Sequence, residues 1–247
     1  MMHVVLPAII VGMRAHGEHG AVVRMMTEDQ GLVAAYVRGA RGRRLGPVLV
    51  PGNAVQASLS SRSEAQLPQA SVELTHSRGP LLGEPLPAAA IAWACALTAT
   101  ALPEGQAYPR LHAALEGLLA AIEAAPAASR WGTSLVRFEM LLLAEMGFGL
   151  DLSECAVTGA ESELVAVSPR SGKAVSAAAA APYKEKLLPL PPFLADGSGQ
   201  AEWEDILSGL QLSGHFLERD LLVERAAAIL PARERLIDRL RGAAGLA

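Results

Sequence analysis

The strongest constraint on the fold of this chain is a change of residue pattern near residue 80. Upstream, apolar and polar residues alternate, most clearly over residues 55–59, as expected of a strand with one face in a core. Downstream, Ala- and Leu-rich stretches carry helical spacing, and three prolines mark the change: Pro80, Pro85 and Pro87. The pattern predicts a multidomain α+β chain with two domains, residues 1–80 and 81–247.

The first domain contains five candidate strands bounded by turn signals. They cover residues 4–11, 21–26, 32–37, 55–59 and 67–74. Acidic residues followed by Gly31 separate the second and third candidates, which favours a hairpin there. A closed barrel leaves no sheet edge exposed, and five short strands are enough to form a small one. We therefore expect a five-stranded β-barrel.

The second domain is predicted to be helical with an irregular insert. The helical candidates are residues 88–101, 108–124, 130–146, 203–210 and 215–229, and a last helix that Pro231 starts or kinks and that ends near Arg241. The insert, residues 150–182, combines a strand candidate at 164–167 with a turn at 169–172. The proline-rich residues 182–192 are expected to form a linker.

Composition favours a protein of a reducing compartment. The chain has 247 residues, of which 51% are hydrophobic and only two are cysteines, too few for a disulfide framework. No stretch reaches the ~18 uninterrupted apolar residues of a membrane span. The apolar residues 4–11 also lack the basic start of a secretory signal. We expect a soluble, cytoplasmic chain with no membrane partner.

Charge is distributed unevenly along the chain. The net charge is −4, yet the first 80 residues hold eight Arg against five Asp or Glu. Four arginines interleaved with glycine follow the third strand candidate: Arg38, Arg41, Arg43 and Arg44. Guanidinium groups bind phosphate oxygens bidentately and glycine permits close backbone approach, so this loop is predicted to hold a nucleic-acid backbone. The alternative is a solvated, flexible surface loop.

Arg24 and Tyr36 on neighbouring strand candidates complete the predicted nucleic-acid-binding set. Tyr36 is the one aromatic residue among the first 80, and base stacking on aromatic rings contributes ~1–3 kcal/mol per base where it occurs. Phosphate contacts must therefore supply most of the affinity, and such binding is sequence-blind and salt-sensitive. Bases left free in this way can pair with a second strand, which suits strand annealing.

The chain carries no recognisable catalytic motif. It has no GxxxxGK loop followed by Ser or Thr, no GxGxxG after a strand candidate, and no serine or cysteine in a nucleophile motif. His16 and His19 flank Glu18 in a glycine-rich turn, a pattern that favours a polar hairpin over a metal site. We expect no catalysis, no metal and no cofactor. An enzyme whose site forms from scattered residues is the alternative.

One segment of the helical half carries a family resemblance. Residues 137–147 read RFEMLLLAEMG, and GLDLSEC follows and ends at Cys155. This combination resembles the central signature of the RecO family. Shorter elements resemble the same family in the same order along the chain: MTEDQG at 26–31, RGAR at 38–41, LVPG at 49–52, SPRSG at 168–172 and LLPLP at 187–191.

The resemblance implies an N-terminal OB-fold, an α-helical C-terminal domain and a role in DNA repair and recombination. Members bind single- and double-stranded DNA, anneal complementary strands and assist RecA loading on SSB-coated strands. The implied protein partners are RecR and the acidic, apolar C-terminal tail of SSB. An RNA-binding OB-fold factor is the alternative for the chain as a whole.

By the same resemblance, Arg137 stands where the family is expected to bind the SSB tail, and Arg130 is a second candidate. The alternative for Arg137 is a structural ion pair with a neighbouring Glu. Because Arg137 belongs to the helical domain, its role can be tested separately from that of the DNA-binding loop.

The insert departs from that of many relatives, in which two Cys-x-x-Cys pairs form a zinc knuckle. Cys155 stands at the first ligand position, but Thr158, Ser176 and Ala179 occupy the apparent remaining positions. One thiolate cannot form the tetrahedral site that structural zinc requires. We predict a degenerate, zinc-free knuckle held by packing and turn hydrogen bonds.

Overall fold

The chain forms two compact units, residues 1–124 and 125–247. A computed structural model describes residues 2–61, 63, 66–125, 127–195, 197, 201–224 and 226–246. The first unit contains a β-barrel with two helices, and the second contains helices and a small sheet.

Five strands form the closed barrel. They are β1 (Met2–His16), β2 (Gly20–Thr27), β3 (Gly31–Val37), β4 (Ala54–Ser61) and β5 (Gln69–His76). The order around the barrel is β1-β2-β3-β5-β4, and all neighbours are antiparallel except β3 and β5. A five-stranded barrel with this topology is an OB-fold. The predicted barrel is therefore confirmed.

The long strand β1 closes the barrel because it changes partner along its length. Its first half pairs with β4 and its second half with β2, and the register with β2 shifts between Ile10 and Gly12. Such a bulge bends a strand and increases its twist. The predicted first strand, residues 4–11, covers only part of this 15-residue strand.

Inward-facing side chains fill the barrel. Burial along β4 switches at every residue, with Val55, Ala57 and Leu59 inside, as the period-2 pattern predicts. Ile10 and Met25 are fully buried in the same core. The intervening side chains of these strands consequently face away from it.

Two helices complete the first unit: α1 (Pro85–Ala101) and α2 (Pro109–Ala124). Helix α1 packs on β1 and β2, and its Trp93 is fully buried. Its small alanine side chains permit this close packing, as the Ala-rich sequence suggests. Both helices belong to the same compact unit as the barrel, and the domain boundary at residue 80 stays a prediction.

The second unit is mostly helical, as predicted. Its elements in chain order are α3 (Gly132–Glu145), β6 (Leu164–Val167), β7 (Ala174–Ser176), α4 (Ala177–Ala180), β8 (Leu188–Pro189), α5 (Pro192–Ala195), α6 (Trp203–Phe216) and α7 (Ala226–Ala243). The three short strands form a sheet in the order β7-β6-β8. No helix in the described ranges is long and apolar enough to cross a bilayer.

One predicted helix of this unit is interrupted. The helix expected over residues 215–229 is divided, because α6 ends at Phe216, a π-helical segment covers Leu217–Leu221 and α7 begins at Ala226.

Two further segments of this unit differ from the sequence-based expectation. The proline-rich residues 182–192 are not a simple linker, because β8 pairs with β6 and so satisfies main-chain groups in a sheet. Helix α7 passes through Pro231, where a start or a kink is expected. Burial of Leu236 and Leu240 stabilises this helix, which offsets the one hydrogen bond that a proline removes.

Candidate nucleic-acid interface

The segment between β3 and β4, residues 38–53, packs onto the barrel core. Ala40 and Leu49 are buried in that core, and turn hydrogen bonds shape the intervening backbone. Gly42 N donates to Gly39 O at 2.9 Å, and Gly39 adopts a φ of 69°, a conformation that glycine reaches without strain. The segment is therefore a hydrogen-bonded cap on the barrel, which fixes where its arginines emerge.

Asn53 anchors the end of this cap. Its side chain is fully buried, and Nδ2 donates to Pro47 O at 2.9 Å and to Val48 O at 3.1 Å. Its Oδ1 accepts from Arg78 N at 2.8 Å. A buried amide needs partners for both its donors and its acceptor. The Asn53 side chain therefore holds the cap against the chain that leaves the barrel after β5.

The predicted phosphate-binding arginines lie on the exposed side of the cap. We refer to residues 38–44 as the basic loop, and all four of its arginines are exposed: Arg38, Arg41, Arg43 and Arg44. Arg41 contacts the β1–β2 turn, with N to His19 O at 3.5 Å and Nη1 to Glu18 O at 3.4 Å. Among the described residues none of the four forms an ion pair. The four guanidinium groups are therefore accessible to solvent and to the phosphates of a nucleic acid.

The strand register extends this basic surface along the barrel. It sets two rows of residues side by side on the outward face of β1, β2 and β3: Arg14, Val22 and Tyr36 in one row, and Gly12, Arg24 and Ala34 in the next. We call this the outer face. OB-folds bind oligonucleotides on the face of strands 2 and 3 together with adjoining loops. The predicted Arg24 and Tyr36 thus share one face, next to the turn that Arg41 contacts.

Arg14 is a further basic residue on the outer face that the sequence pattern did not identify. It is exposed and lies opposite Val22 in the register. Leu6, Ala8 and Ile10 point into the barrel core, so strict alternation along β1 would have placed Arg14 inside as well. The bulge between Ile10 and Gly12 turns Arg14 outward, and neither this bulge nor the strand beyond Val11 was predicted.

Tyr36 is held firmly against the β1–β2 turn. Its ring meets the His16 ring edge-on, with centroids 5.8 Å apart. It also covers Gly20, where an added Cβ would lie 2.2 Å from the tyrosine hydroxyl. One fixed, half-buried ring can contact a single base, so the outer face offers no series of stacking platforms.

Arg24 is already engaged within the protein. Its Nη2 lies 2.7 Å from Glu104 Oε1, and its Nη1 donates to the Ala99 carbonyl. Both charged side chains are about half exposed. Its role as a DNA contact stays a prediction, and in this arrangement the guanidinium is less available to a phosphate than those of the basic loop.

Arg137 and Arg130 lie in the second unit, and both are exposed. Arg137 projects from α3 over the ring of Phe193 at 5.7 Å, and its Nη2 donates to the Phe193 carbonyl at 3.3 Å. In the part of the chain that the structure describes, Arg137 forms no ion pair. The structural alternative, a pair with a neighbouring Glu, therefore receives no support, because Glu139 binds a different arginine.

That arginine is Arg233, and the pair is buried. Glu139 is fully buried, Arg233 is 7% exposed, and the guanidinium donates through Nη2 at 2.8 Å and Nε at 3.1 Å. The Ser213 hydroxyl also donates to Glu139, and Arg233 Nη2 reaches Leu210 O at 2.6 Å. Carboxylate and guanidinium thus join α3, α6 and α7, so Glu139 of the RFE motif has a structural role.

The degenerate knuckle brings its expected positions together. Cys155 is buried with Ala179 packed against the same small apolar cluster. Ser176 N donates to Cys155 Sγ at 3.2 Å. Hydrogen bonds from the Ser176 and Thr158 hydroxyls lower the pKa of the Cys155 thiol to about 6. Hydrogen bonds and packing therefore hold this insert, and no cluster of three His, Cys, Asp or Glu suited to a metal occurs in the described residues.

The Cys155 thiolate predicts a pH dependence of stability. Its folded-state pKa of about 6 lies below the usual 9.0, so the folded state binds fewer protons between those values and stability rises with pH. The stabilisation is fully present above pH 9 and is lost as the pH falls through about 6. Urea unfolding of wild type should show a steeper rise over this range than Cys155→Ala.

Cys95 supplies the matched control for this experiment. Burial raises the pKa of its thiol from 9.0 to about 12, so below about pH 8 it stays protonated in both the folded and the unfolded state. Between about pH 6 and 8, Cys95→Ala should consequently leave the slope of stability against pH unchanged. Parallel curves for wild type and Cys155→Ala would show that Cys155 is not ionised in the folded protein.

Two family models match successive parts of the chain. The model described as "Recombination protein O N terminal" matches residues 1–78, and "Recombination protein O C terminal" matches residues 85–226. A protein of Caulobacter sp. (strain K31) named DNA repair protein RecO is 45% identical over 240 residues, which cover 96% of this chain and 97% of the relative.

Two further relatives carry the same name. The one from Caulobacter vibrioides (strain NA1000 / CB15N) is 44% identical, covering 94% of this chain and 95% of its own length. The one from Gluconacetobacter diazotrophicus is 41% identical, covering 94% and 92%. Matches to both family models and to near full-length relatives leave one conclusion: the chain belongs to the RecO family of DNA repair and recombination proteins.

Proposed function

We propose that this protein is a non-enzymatic recombination mediator that binds single- and double-stranded DNA through phosphate contacts at its barrel. It anneals complementary strands and, with RecR, assists the loading of RecA on SSB-coated strands in the cytoplasm. The observation that carries the proposal is the exposure of four arginines on a hydrogen-bonded cap, without an ion-pair partner among the described residues.

Phosphate binding by this surface favours annealing over sequence recognition. The basic loop and Arg14 present guanidinium groups, whereas the outer face has a single tyrosine. Guanidinium–phosphate contacts fix the position of a strand without reading its sequence. A strand held in this way keeps its base edges free, so a complementary strand can pair with it.

The test is annealing of complementary strands that are precoated with cognate SSB, without any nucleotide. Wild type should accelerate annealing on SSB with an intact C-terminal tail and much less on SSB that lacks it. Failure to anneal either bare or coated strands would refute the mediator role. Turnover of a nucleotide or of DNA that a point substitution abolishes would refute the non-enzymatic role.

For the SSB tail, the proposed contact is Arg137, with Arg130 nearby in sequence. Arg137→Ala should weaken binding of an SSB-tail peptide roughly tenfold or more, because a charge-assisted hydrogen bond contributes about 1.5–3 kcal/mol. Arg235→Ala, which removes an exposed arginine of α7, is the control. Fluorescence anisotropy of a labelled peptide measures the affinity, and thermal unfolding reports the loss of the Phe193 contact. Unchanged peptide affinity in a folded variant would leave Arg137 outside the tail site.

A further inference from the structure

Arg24, on the central strand β2 of the outer face, forms an ion pair with Glu104. Two adjacent grooves, of about 650 and 300 Å³, share the residues Ala34 and Glu104. Arg14, His16 and Arg24 line the larger groove, and Gln30, Ser61 and Ser63 line the smaller one. The Glu104 side chain therefore stands where the two grooves meet along β3.

The backbone that carries Glu104 is fixed to β3. Leu32 forms an isolated bridge with Glu104, and Gly105 N donates to Leu32 O at 3.0 Å. A Cβ at Gly31 would lie 1.7 Å from Gln106 O, so the connector lies flush against the strand. The position of Glu104 is thus built into the first unit, whereas its side chain is 48% exposed and can rotate away from Arg24.

We propose that Glu104 competes with DNA phosphates for Arg24 and so limits the affinity of the outer face. A carboxylate and a phosphate are both oxyanions that a guanidinium binds through charge-assisted hydrogen bonds. A half-exposed ion pair contributes little net stability, so a phosphate can replace the carboxylate at small cost. Rotation of Glu104 also joins the two grooves into one longer path for a strand.

This inference rests on the proposed binding of DNA to the barrel and adds a regulating residue to it. Competition at Arg24 would keep binding weak enough for the protein to leave a strand once it is paired. No covalent step is involved, and the exchange conserves charge because one oxyanion replaces another.

The experiment measures the affinity of Glu104→Gln for a labelled single-stranded oligonucleotide at several salt concentrations. When Arg24 is released to bind one additional phosphate, affinity should rise about fivefold at 0.1 M salt, and the slope of log K against log salt should steepen by about 0.7. Glu116→Gln is the matched control, because Glu116 is exposed on α2 and the charge change is identical. It should change affinity by less than about 1.5-fold, because Glu116 lines neither groove and salt screens the charge of an exposed side chain.

Arg24→Gln separates competition from a general charge effect. In that background, Glu104→Gln should raise affinity no more than Glu116→Gln does, because the contested guanidinium is gone. Thermal unfolding confirms that each variant is folded, and Glu104→Ala provides a second variant if Glu104→Gln is unstable. Equal effects of Glu104→Gln and Glu116→Gln in the wild-type background, or an undiminished rise in affinity without Arg24, would overturn the inference.

Failure of the proposed function gives a different pattern. The basic-loop variant has Arg41, Arg43 and Arg44 replaced with alanine. If the barrel does not bind DNA, wild type and the basic-loop variant will show the same affinity, and no Glu104 variant will change it. If only the Glu104 inference is wrong, the basic-loop variant will still lose affinity while Glu104→Gln matches its control. The two outcomes are distinguished in one set of titrations.

Discussion

Replacing Arg41, Arg43 and Arg44 together with alanine is expected to weaken single-stranded DNA binding roughly 100-fold at 0.1 M salt. All three side chains are exposed on the basic loop. Each phosphate bound on a single strand contributes about 0.7 to the slope of log K against log salt, so removal of three phosphate-binding arginines lowers it by about 2. Titrations by fluorescence anisotropy over a range of salt give both quantities.

The control removes the same charge from the second unit. Arg170, Arg235 and Arg241 are exposed there, and their replacement with alanine changes the net charge equally. This control should lose far less affinity if the basic loop is the principal contact. Unchanged affinity and slope in the loop variant would exclude the loop as the contact, and an equal loss in both variants would indicate a diffuse charge effect.

The second large effect concerns stability. Arg233→Ala is expected to destabilise the second unit by about 3–5 kcal/mol, because it leaves the carboxylate of Glu139 buried without its guanidinium. The pair is well placed for such an effect: Glu139 is fully buried and the Nη2–Oε2 distance is 2.8 Å. Urea denaturation followed by circular dichroism measures the change.

Two further variants test whether the buried charge of Glu139 causes this loss of stability. Arg235→Ala, an exposed neighbour on α7, should change stability by less than about 0.5 kcal/mol. The double variant Glu139→Gln with Arg233→Met should recover part of the loss, since replacing both members of a buried pair removes the uncompensated charge. A loss below about 1 kcal/mol for Arg233→Ala would show that water reaches Glu139.

Local patterns were sufficient to predict the barrel. The alternation over residues 55–59 identifies β4 and its buried face, and the acidic turn before Gly31 identifies the β2–β3 hairpin. The true length of β1 was missed, because a strand that changes partner at a bulge has two different neighbours. The point at which β1 changes partner depends on tertiary pairing, and the residues of β1 alone do not indicate it.

The same distinction between local patterns and tertiary contacts applies to the candidate site. The arginines of the basic loop are close together in the sequence, so their shared location could be predicted. The Arg24–Glu104 pair joins residues 80 positions apart, and the Glu139–Arg233 pair joins residues 94 apart. Such contacts depend on tertiary packing, and a single sequence does not indicate which opposite charges will meet.

The most direct test of the central claim separates the phosphates of a strand from its bases. The claim is that the barrel holds the sugar-phosphate chain and leaves the bases free to pair. One oligonucleotide carries neutral methylphosphonate linkages with all bases present, and a second carries ordinary phosphates with abasic sites. We expect the first to lose most of its affinity and the second to bind within a few-fold of unmodified DNA. Tight binding of the neutral strand with loss of binding to the abasic strand would contradict the claim.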